Sequence, residues 1–326
     1  MKGPALPYRC AIVLAGGEGR RLRPFLRQLN RDDLPKQYVS FIGTRSLLEH
    51  TLDRAEKLLP PQRIFTVVNR YHLNFSEVGR QLCSRPAGTV IVQPENRETG
   101  PGILLPLMHL YKHYPKSTVA VFPSDHFIGA ESVFLTHVAA AFHAVEEDPS
   151  RLVLLGVEAE GPDPGYGYIV PAGDAADADI LSVRDVERFI EKPDPVAAQA
   201  LISGGGLWNT MVMVFNADNF LDLLRGVAPG LQRCFEKLGN AIGKPHEQRV
   251  VEDTYRHIKP QNFSTGVLEA LARRRPSCLS VLPISGALWS DWGVGDHVLS
   301  VLKQTGYLNR LNGVSENKLL SIWGGV

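Results

Sequence analysis

One short segment near the start of the chain constrains the fold more than any other. The apolar residues 9–14 have the pattern of a buried strand, and they run directly into Gly16, Gly17, Gly19, Arg20 and Arg21. A strand that ends in a glycine-rich turn is typical of α/β proteins, where the turn can direct backbone N–H groups at an anion. Arginines add charge-assisted donors to such a turn. The segment therefore predicts a phosphate-binding loop.

The spacing within this segment excludes two common nucleotide-binding loops. A Walker loop needs lysine and then serine or threonine after its last glycine, and here arginines follow. A GxGxxG dinucleotide loop fits poorly, because Leu22 occupies its third glycine position. Lys36, directly after Pro35, is near enough in sequence to reach the same phosphates. The alternative interpretation is a strand–turn–helix corner that needs its glycines only for packing.

The rest of the chain alternates buried apolar runs with amphipathic stripes. Strands are predicted at 63–68, 89–92, 119–122, 152–157, 166–170, 180–190, 211–215 and 279–283. Helices are predicted at 46–59, 133–145, 296–304, and after the capping residues Asp194 and Asn216. Such alternation favours an α/β fold with a mostly parallel sheet. We predict one domain over 9–305, a loose lead at 1–8, and a C-terminal extension, 306–326, that packs on the domain.

Composition excludes several classes of protein. The 326 residues carry a net charge of +1, so nucleic acid is a poor candidate partner. The four cysteines are scattered without a CxxC pair, which argues against a disulfide framework and a cysteine zinc site. No apolar run approaches the roughly 18 residues of a membrane span, and the N-terminus is unlike a signal peptide. We expect a cytoplasmic protein without a membrane partner.

The glycine-rich segment and several later motifs resemble those of a known family. AGGEGRRLRP at 15–24, followed by LPKQY at 34–38, resembles the signature of the sugar-phosphate nucleotidyltransferases. GTRSLLEHTLDRA at 43–55 is similar to the mannose-1-phosphate guanylyltransferase branch. The motifs recur in order over 11–301, and this order is more specific than any single motif. The resemblance implies a Rossmann-like, GT-A-like mixed sheet flanked by helices, with a smaller sugar-binding part in the second half.

A second segment adds to the nucleotide-binding residues that the resemblance implies. QPENRETGPGI at 93–103 resembles the family's EPxxRNTAPAI, with departures that include Gln93 and Glu98. On its residues alone, the segment reads as a loop that caps the following helix. The expected nucleotide-binding residues are Ala15, Gly16, Gly17, Gly19, Arg20, Arg97, Glu98 and Thr99. We hypothesise that Glu98 selects guanine, since a carboxylate can accept from N1–H and the N2 amine together. A solvent-facing glutamate is the alternative.

Two aspartates are the candidate metal ligands. Asp125, in FPSDHF, follows a buried strand and resembles the aspartate of the family's PADH motif. Asp291, in WSDWG, resembles the aspartate of WSDVG, although the residues after it depart from the family. The resemblance implies that both bind Mg²⁺, a hard cation that suits carboxylates and substrate phosphates. Either aspartate alone reads as a turn or cap residue.

Three further motifs resemble the family's sugar-binding segments: GYGYI at 165–169, FIEKP at 189–193 and WNTM at 208–211. The resemblance implies that the sugar-binding residues are Gly167, Glu191 and Asn209, and that Lys192 neutralises the sugar phosphate. Thr210 and Met211 depart from the serine and glycine of the family's WNSGM. The motifs together give the candidate catalytic residues Arg21, Lys36, Asp125 and Lys192.

The resemblance implies an enzyme that joins GTP to α-D-mannose 1-phosphate, forming GDP-mannose and releasing pyrophosphate. Its partners would be these substrates, with Mg²⁺ as cofactor and a homodimer as a candidate assembly. Two alternatives stay open: the same chemistry on another pair, such as glucose 1-phosphate with UTP or dTTP, and a catalytically silent paralogue that binds a nucleotide sugar and regulates a partner. His109 and His113 have helical spacing but lack the glutamate of an HExxH zinc site.

Overall fold

The computed structural model describes residues 8–29, 34–173 and 181–311. The predicted lead before Tyr8, most of the polar stretch between the seventh and eighth strands, and the extension beyond Leu311 lie outside these residues. The described strands are Arg9–Ala15 (β1), Ile64–Asn69 (β2), Val90–Gln93 (β3), Thr118–Pro123 (β4), Phe127–Ile128 (β5), Leu152–Glu158 (β6), Gly167–Pro171 (β7), Arg184–Glu191 (β8), Leu207–Asn216 (β9), Leu279–Ile284 (β10) and Trp289–Ser290 (β11).

Helices connect and cover these strands. Those in the described residues are Arg23–Gln28 (α1), Leu47–Glu56 (α2), Ser76–Leu82 (α3), Thr99–His113 (α4), Glu131–Glu147 (α5), Pro195–Ser203 (α6), Ala217–Val227 (α7), Pro229–Gly239 (α8), Glu247–His257 (α9), Glu269–Arg274 (α10) and Gly295–Gln304 (α11). None of the described helices combines the length and the apolar character that crossing a membrane requires.

Nine of the described strands form one sheet, in the order β3-β2-β1-β4-β9-β6-β10-β8-β7. β1 pairs in parallel with β2 and β4, and β6 pairs in parallel with β10. β9 is antiparallel to β4 and β6, and β8 is antiparallel to β10 and β7. Among these nine, β8 and β9 therefore run against the common direction. The predicted α/β fold with a mixed sheet is confirmed, although only half of its neighbouring strand pairs are parallel. The strands that carry the candidate sugar residues belong to this same sheet, and the smaller sugar-binding part stays a prediction.

The central strands are apolar throughout because both faces of the sheet are covered. Successive side chains of β1 alternate between two hydrophobic clusters, with Cys10 and Ile12 in one and Ala11 and Val13 in the other. Helices α4 and α7 to α10 cover the first face, and α2, α3, α5 and α6 cover the second. The sheet edge at the carboxyl ends of the strands is left for the loops that carry the candidate site.

The predicted helix caps are confirmed, whereas the predicted end of one helix is wrong. Ser46 Oγ accepts from the Glu49 N–H and the Glu49 carboxylate accepts from the Ser46 N–H, which forms a capping box at the start of α2. Asp194 and Asn216 cap α6 and α7. α2 ends at Glu56 rather than at 59, because the stripe continues into a turn whose Leu59 is buried outside the helix.

Two strand limits were also predicted wrongly. β9 begins at Leu207 rather than at 211, because 207–209 pair with β6 beyond an irregularity that separates them from the apolar run. β8 begins at Arg184 rather than at 180, after residues that are polar or partly exposed. Helices α3, α8 and α9 were not predicted from the sequence.

A third hydrophobic cluster lies beside the sheet. It joins α1 to α11 and includes Trp292 and Phe41. Leu311, the last described residue, is buried in this cluster and forms a β-bridge with Ile42. The predicted limits of the domain and its extension stay predictions.

Candidate active site

The glycine-rich loop and Asp125 lie where the strand order of the sheet reverses. β1 has β2 on one side and β4 on the other. In open α/β sheets, ligands bind in the crevice outside the carboxyl ends of the strands at such a point. β1 ends at Ala15 and continues into the glycine-rich loop, and β4 ends at Pro123, two residues before Asp125.

Two glycines of the loop are required by close contacts. A Cβ atom on Gly16 would overlap the Gln93 side-chain amide. Gly19 has a φ of 59°, which favours glycine, and its Cβ would lie 2.9 Å from Lys36 Cβ. Arg20, in contrast, is exposed and pairs with Glu18 at 2.7 Å. The loop is therefore fitted against Gln93 on one side and Lys36 on the other.

The Pro-Lys-Gln-Tyr segment forms a buried turn, Lys36–Tyr38, against the glycine loop. Gln37 Nε2 donates to the carbonyl oxygens of Ala15 and Gly17, both at 2.8 Å. Tyr38 OH donates to the Ala15 carbonyl at 3.1 Å. These bonds fix two carbonyl groups of the loop. Ala15 thus contributes to the site through its backbone.

Lys36 connects the two candidate metal ligands. β5 and β11 pair as a small antiparallel sheet, and this pairing brings together the chain segments that carry Asp125 and Asp291. Lys36 is 3% exposed, and its Nζ lies 3.0 Å from Asp125 Oδ2 and also donates to the Asp291 carbonyl. Three residues that are far apart in the sequence therefore converge at one point of the crevice.

The Asp291 carboxylate is surrounded by donors. Its Oδ1 accepts from the Tyr166 hydroxyl and from the Gly293 N–H, both at 2.8 Å, and lies 3.2 Å from His297 Nδ1. Its Oδ2 accepts from Arg21 at 3.1 Å. Arg21, the candidate catalytic arginine of the loop, is thereby held at the same centre as Lys36.

Both carboxylates are held in their ionised form. Burial acts to raise the pKa of Asp125, but the charges of Lys36 and His126 outweigh it and lower that pKa. Burial likewise opposes ionisation of Asp291, and the hydrogen bond from His297 and the charge of Lys36 lower its pKa. The Asp291 carboxylate in turn raises the pKa of His297. The crevice thus contains balanced charges.

This donor set fits Mg²⁺. Two ionised carboxylates lie together, and proteins bind Mg²⁺ through one or two carboxylates, with waters and substrate phosphates completing its coordination. Within 8–29, 34–173 and 181–311, no three His, Cys, Asp or Glu side chains are grouped so that they could hold a metal ion. His109 and His113 therefore form no such group, and His109 lies 3.6 Å from Glu247 instead.

A cavity of about 210 Å³ lies beside the glycine loop. Its lining includes Gly16, Gly17, Gln93, Glu98 and Thr99. Gln93 is 2% exposed, and its Oε1 has no hydrogen-bond partner among the described residues. Leaving such an acceptor unpaired costs on the order of 1–3 kcal/mol. A ligand N–H that reached Gln93 Oε1 would recover that free energy.

The predicted nucleotide residues of the second segment differ in their placement. Glu98 is exposed and precedes α4 with φ 70° and ψ −178°, a region that suits glycine. Thr99 Oγ1 accepts from the Phe263 N–H at 2.8 Å. The Arg97 guanidinium pairs with Glu95 at 2.7 Å and does not line the cavity. The structure therefore brings Glu98 and Thr99 to the cavity, but not Arg97.

The candidate sugar residues Gly167 and Glu191 lie opposite each other on β7 and β8. A Cβ on Gly167 would lie 2.6 Å from Glu191 Oε2, so the approach of the carboxylate requires glycine. Burial raises the pKa of Glu191, although Lys192, with Nζ at 3.8 Å, acts to lower it. The Lys192 N–H donates to the Tyr166 carbonyl at 3.0 Å, and Tyr166 OH binds Asp291. Tyr166 therefore joins the sugar side to the carboxylate pair.

Asn209 lies on the same side but uses its amide within the chain. A Cβ on Gly167 would lie 3.6 Å from Asn209 Cβ. Asn209 Oδ1 accepts from the Met211 N–H at 3.0 Å, and Nδ2 donates to Met211 Sδ at 3.3 Å. The structure thus places Asn209 beside Gly167, with both ends of its amide already bonded within the chain.

Backbone strain concentrates in these segments. Six described non-glycine residues have a positive φ, and four of them lie in the motifs above: Glu98, Lys192, Met211 and Trp292. Such conformations cost about 1–3 kcal/mol each and collect at ligand-binding sites. Their position supports a functional role for the crevice.

Sequence reasoning missed three residues of the site. Gln37 and Tyr166 lie inside the quoted motifs, so their position beside Lys36 and Gly167 was an available signal. Nothing in the sequence indicated that His297 belongs to the site. It reaches Asp291 because α11 begins at Gly295 and places His297 on its first turn, where Nε2 also lies 3.2 Å from Asp163 Oδ2.

Fold and site together define an α/β protein with a glycine-rich loop and a pair of aspartates at the carboxyl edge of its sheet. The chain belongs to the nucleotidyl transferase family, whose model matches residues 10–305. It is 30% identical over 305 residues to the xanthan biosynthesis protein XanB of Xanthomonas campestris pv. campestris strain B100. It is 28% identical over 304 residues to a mannose-1-phosphate guanylyltransferase of Escherichia coli. Each match covers 93% of this chain.

A solved structure described as mannose-1-phosphate geranyltransferase from Thermus thermophilus is also similar. Its TM-score is 0.76 at 26% identity, over 91% of this chain and 79% of that one. A mannose-6-phosphate isomerase from Helicobacter pylori, at 20% identity and a TM-score of 0.66 over 87% of this chain and 99% of that one, shares the fold alone. The chain spans 61% of the length of XanB and 62% of that of the Escherichia coli protein.

Proposed function

We propose that this protein transfers a nucleotidyl group from GTP to α-D-mannose 1-phosphate, giving GDP-mannose and pyrophosphate. The observation that carries the proposal is the convergence of two cations and two carboxylates at one crevice: Arg21, Lys36, Asp125 and Asp291. The similarity to a protein named mannose-1-phosphate guanylyltransferase supports the choice of substrates.

The reaction forms one bond and breaks one bond at the α-phosphorus of the nucleotide. An oxygen of the sugar phosphate attacks this phosphorus, the bond to the bridging oxygen of the β-phosphate breaks, and pyrophosphate leaves with that electron pair. The attacking phosphate is already largely ionised at neutral pH, because its second pKa is about 6. No general base is needed, so catalysis rests on alignment and on stabilising negative charge.

Arg21 and Lys36 are the groups that hold the leaving pyrophosphate, together with N–H groups of the glycine loop. Without substrate these two cations pair with Asp291 and Asp125. When the triphosphate binds, they exchange carboxylate partners for phosphate oxygens. Lys192, which is more than half exposed, brings in the sugar phosphate, whose charge it neutralises.

Asp125 and Asp291 would hold Mg²⁺ as the cofactor. When bound, this ion supplies positive charge at the α-phosphate and reduces the repulsion between two anionic substrates. The two residues suit it because both are ionised and lie beside the same lysine. Glu191 and Asn209 lie across Gly167 from each other and form the proposed sugar side.

The cavity beside the glycine loop is the proposed base site. Guanine offers two adjacent donors, N1–H and the N2 amine, on its Watson–Crick edge. Gln93 Oε1 is a buried acceptor without a partner among the described residues, and the Glu98 carboxylate belongs to the lining of the same cavity. Both residues therefore suit a base that donates, which favours GTP.

A pyrophosphate-release assay tests the proposal. GTP, ATP, CTP, UTP and dTTP are each combined with mannose 1-phosphate and with glucose 1-phosphate in the presence of Mg²⁺. We expect release with GTP and mannose 1-phosphate, and a loss of roughly 10²-fold or more in the Asp125→Asn variant. Release with a different pair would overturn the choice of substrates. No release with any pair would overturn the chemistry and favour a regulatory nucleotide-sugar-binding protein.

A further inference from the structure

β9 contains a bulge next to the candidate sugar residues. Gly156 pairs with Asn209 and Leu154 pairs with Met213, so three residues of β9 face the single residue Leu155. Thr210 is the first of these three residues, and its Oγ1 donates to the Leu155 carbonyl at 2.6 Å and accepts from the Val212 N–H at 3.2 Å. β-bulges beside binding sites often redirect a side chain.

The residue redirected here is Met211. Its φ is 57°, in the left-handed region that favours glycine and that other residues seldom adopt. A bulky side chain kept on such a backbone points to a function that offsets the strain. Met211 is partly buried and packs against the hydrophobic cluster on one face of the sheet.

The thioether of Met211 receives two polar donors. Asn209 Nδ2 donates to its Sδ at 3.3 Å, and Ser264 Oγ donates to it at 3.4 Å. A thioether is a weak acceptor, so these two donors have a poorer partner than an oxygen would be. The Ser264 hydroxyl also lies beside the Glu191 carboxylate and acts to lower the pKa of that group, against the larger effect of burial.

The sulfur therefore lies among the groups proposed to bind the sugar. Glu191 and Asn209 face each other across Gly167, where a Cβ would be 2.6 Å from Glu191 Oε2 and 3.6 Å from Asn209 Cβ. Ser264 contacts both Glu191 and Met211. A sugar hydroxyl that reached Asn209 Nδ2 and Ser264 Oγ would have to occupy the position that the Met211 sulfur now occupies.

We propose that Met211 determines the sugar specificity of this site by filling that hydroxyl position. The inference rests on the proposed function and refines its sugar. The site favours a pyranose 1-phosphate that presents hydrogen or a methyl group toward Met211 over the analogue with a hydroxyl there. A C–H or methyl group packs well against a polarisable sulfur, whereas a hydroxyl would lose water there and find the best donors already engaged.

The test compares α-mannose 1-phosphate with its 2-, 3-, 4- and 6-deoxy analogues as substrates with GTP. In the wild-type protein we expect one deoxy analogue to exceed mannose 1-phosphate in kcat/KM by about tenfold. Met211→Gly suits the backbone at φ 57° and frees Asn209 Nδ2 and Ser264 Oγ. For that same analogue we expect the ratio of kcat/KM values to shift by roughly 10- to 100-fold toward the hydroxylated sugar.

Met211→Leu is the matched control, because it keeps an apolar side chain of similar volume and removes the sulfur. We expect it to retain the preference for the deoxy analogue. An unchanged ratio in Met211→Gly, with both proteins active, would overturn the inference. So would a wild-type protein that turns over mannose 1-phosphate better than every deoxy analogue.

Binding of the same sugar phosphates, measured by calorimetry without nucleotide, separates this inference from the proposed function. If no nucleotide supports turnover, the proposed function fails, and the order of binding affinities still decides the role of Met211. A wild-type preference for one deoxy analogue that reverses in Met211→Gly would support the inference. Affinities that keep the same order in both proteins would contradict it.

Discussion

The proposed phosphate side of the crevice, around Arg21 and Lys36, and the proposed base side, around Gln93, differ in how their polar groups are paired. On the phosphate side each of the central cations has a carboxylate, Lys36 with Asp125 and Arg21 with Asp291. On the base side, Gln93 Oε1 is buried without a partner among the described residues. Burying an unpaired charge costs far more than burying an unpaired neutral acceptor. The buried Lys36 therefore keeps a carboxylate partner before any substrate binds, whereas the neutral Gln93 Oε1 can remain unpaired.

This difference sets how each side responds to its ligand. In the proposed reaction, substrate phosphates would replace the carboxylate partners of Arg21 and Lys36, so the free energy gained on binding would be the difference between two charged interactions. A base that reaches Gln93 replaces nothing within the protein. We therefore expect the phosphate side to govern rate and the base side to govern nucleotide choice.

The largest expected effect is on the phosphate side, in Lys36→Met. This change keeps a long side chain and removes the charge shared by Asp125 and Asp291, and we expect turnover to fall by roughly 10²–10³-fold. Steady-state kinetics of the folded variant measure it. Lys112→Met, on the exposed surface of α4, is the matched control and should keep its activity. Near-normal turnover in Lys36→Met would remove the lysine from the proposed centre.

A smaller effect is expected on the base side, in Gln93→Leu. This substitution removes the unpaired acceptor at similar volume, and loss of one neutral hydrogen bond is worth about 0.5–1.5 kcal/mol. We expect kcat/KM for GTP to fall up to about tenfold with KM for the sugar phosphate unchanged.

Glu98→Ala, measured with GTP and ATP in parallel, tests the hypothesis that this carboxylate selects guanine. If the ratio of kcat/KM for GTP to kcat/KM for ATP is the same in the wild type and in Glu98→Ala, the hypothesis for Glu98 is wrong. Gln93 would then be the residue proposed to recognise the base.

The smallest effect on activity at neutral pH is expected for His72, an uncharged residue that contacts the turn supporting the glycine loop. Burial lowers the pKa of His72 to about 4, and its Nδ1 lies 3.2 Å from Tyr38 OH. Between the usual pKa of about 6.5 and that value, the unfolded chain binds a proton that the folded protein does not. The free energy of unfolding therefore falls as pH falls through this window.

Urea unfolding of the wild type and of His72→Gln, at about pH 7 and about pH 5, measures this contribution. The variant lacks the titrating group, so we expect it to lose less stability on acidification. Identical losses in the two proteins would assign the acid sensitivity to other groups. Activity at neutral pH should change little, because His72 is neutral there and lies behind the loop.

Local patterns explain what the sequence could predict. The residues leading to Gly16 predict β1 and its loop, because a strand buried on both faces requires apolar residues and a sharp turn requires glycine. The capping residues Ser46, Asp194 and Asn216 give helix starts for the same reason. Only the order of the motifs indicated that Asp125 and Asp291 belong to one site, because the residues around each aspartate do not show how close the two lie in the fold.

What the sequence could not give depends on geometry between distant segments. His297 approaches Asp291 because of where α11 begins, and the Gln93 amide lies in the site because Gly16 leaves room for its nitrogen. The positive φ of Met211 is set by the pairing of β9 with β6. Each of these depends on the register of strands or the placement of helices, which no single residue type encodes.

The third hydrophobic cluster has a consequence for how the crevice opens. Arg21 leads into α1 and Asp291 leads toward α11, and these two helices share that small core with Trp292. Segments with few buried contacts open locally, as cooperative units, well below the free energy of global unfolding. Opening of this unit would displace Arg21 and Asp291 in one movement while the nine-stranded sheet stays folded. The integrity of the crevice would then depend on the stability of a minor core rather than on that of the sheet.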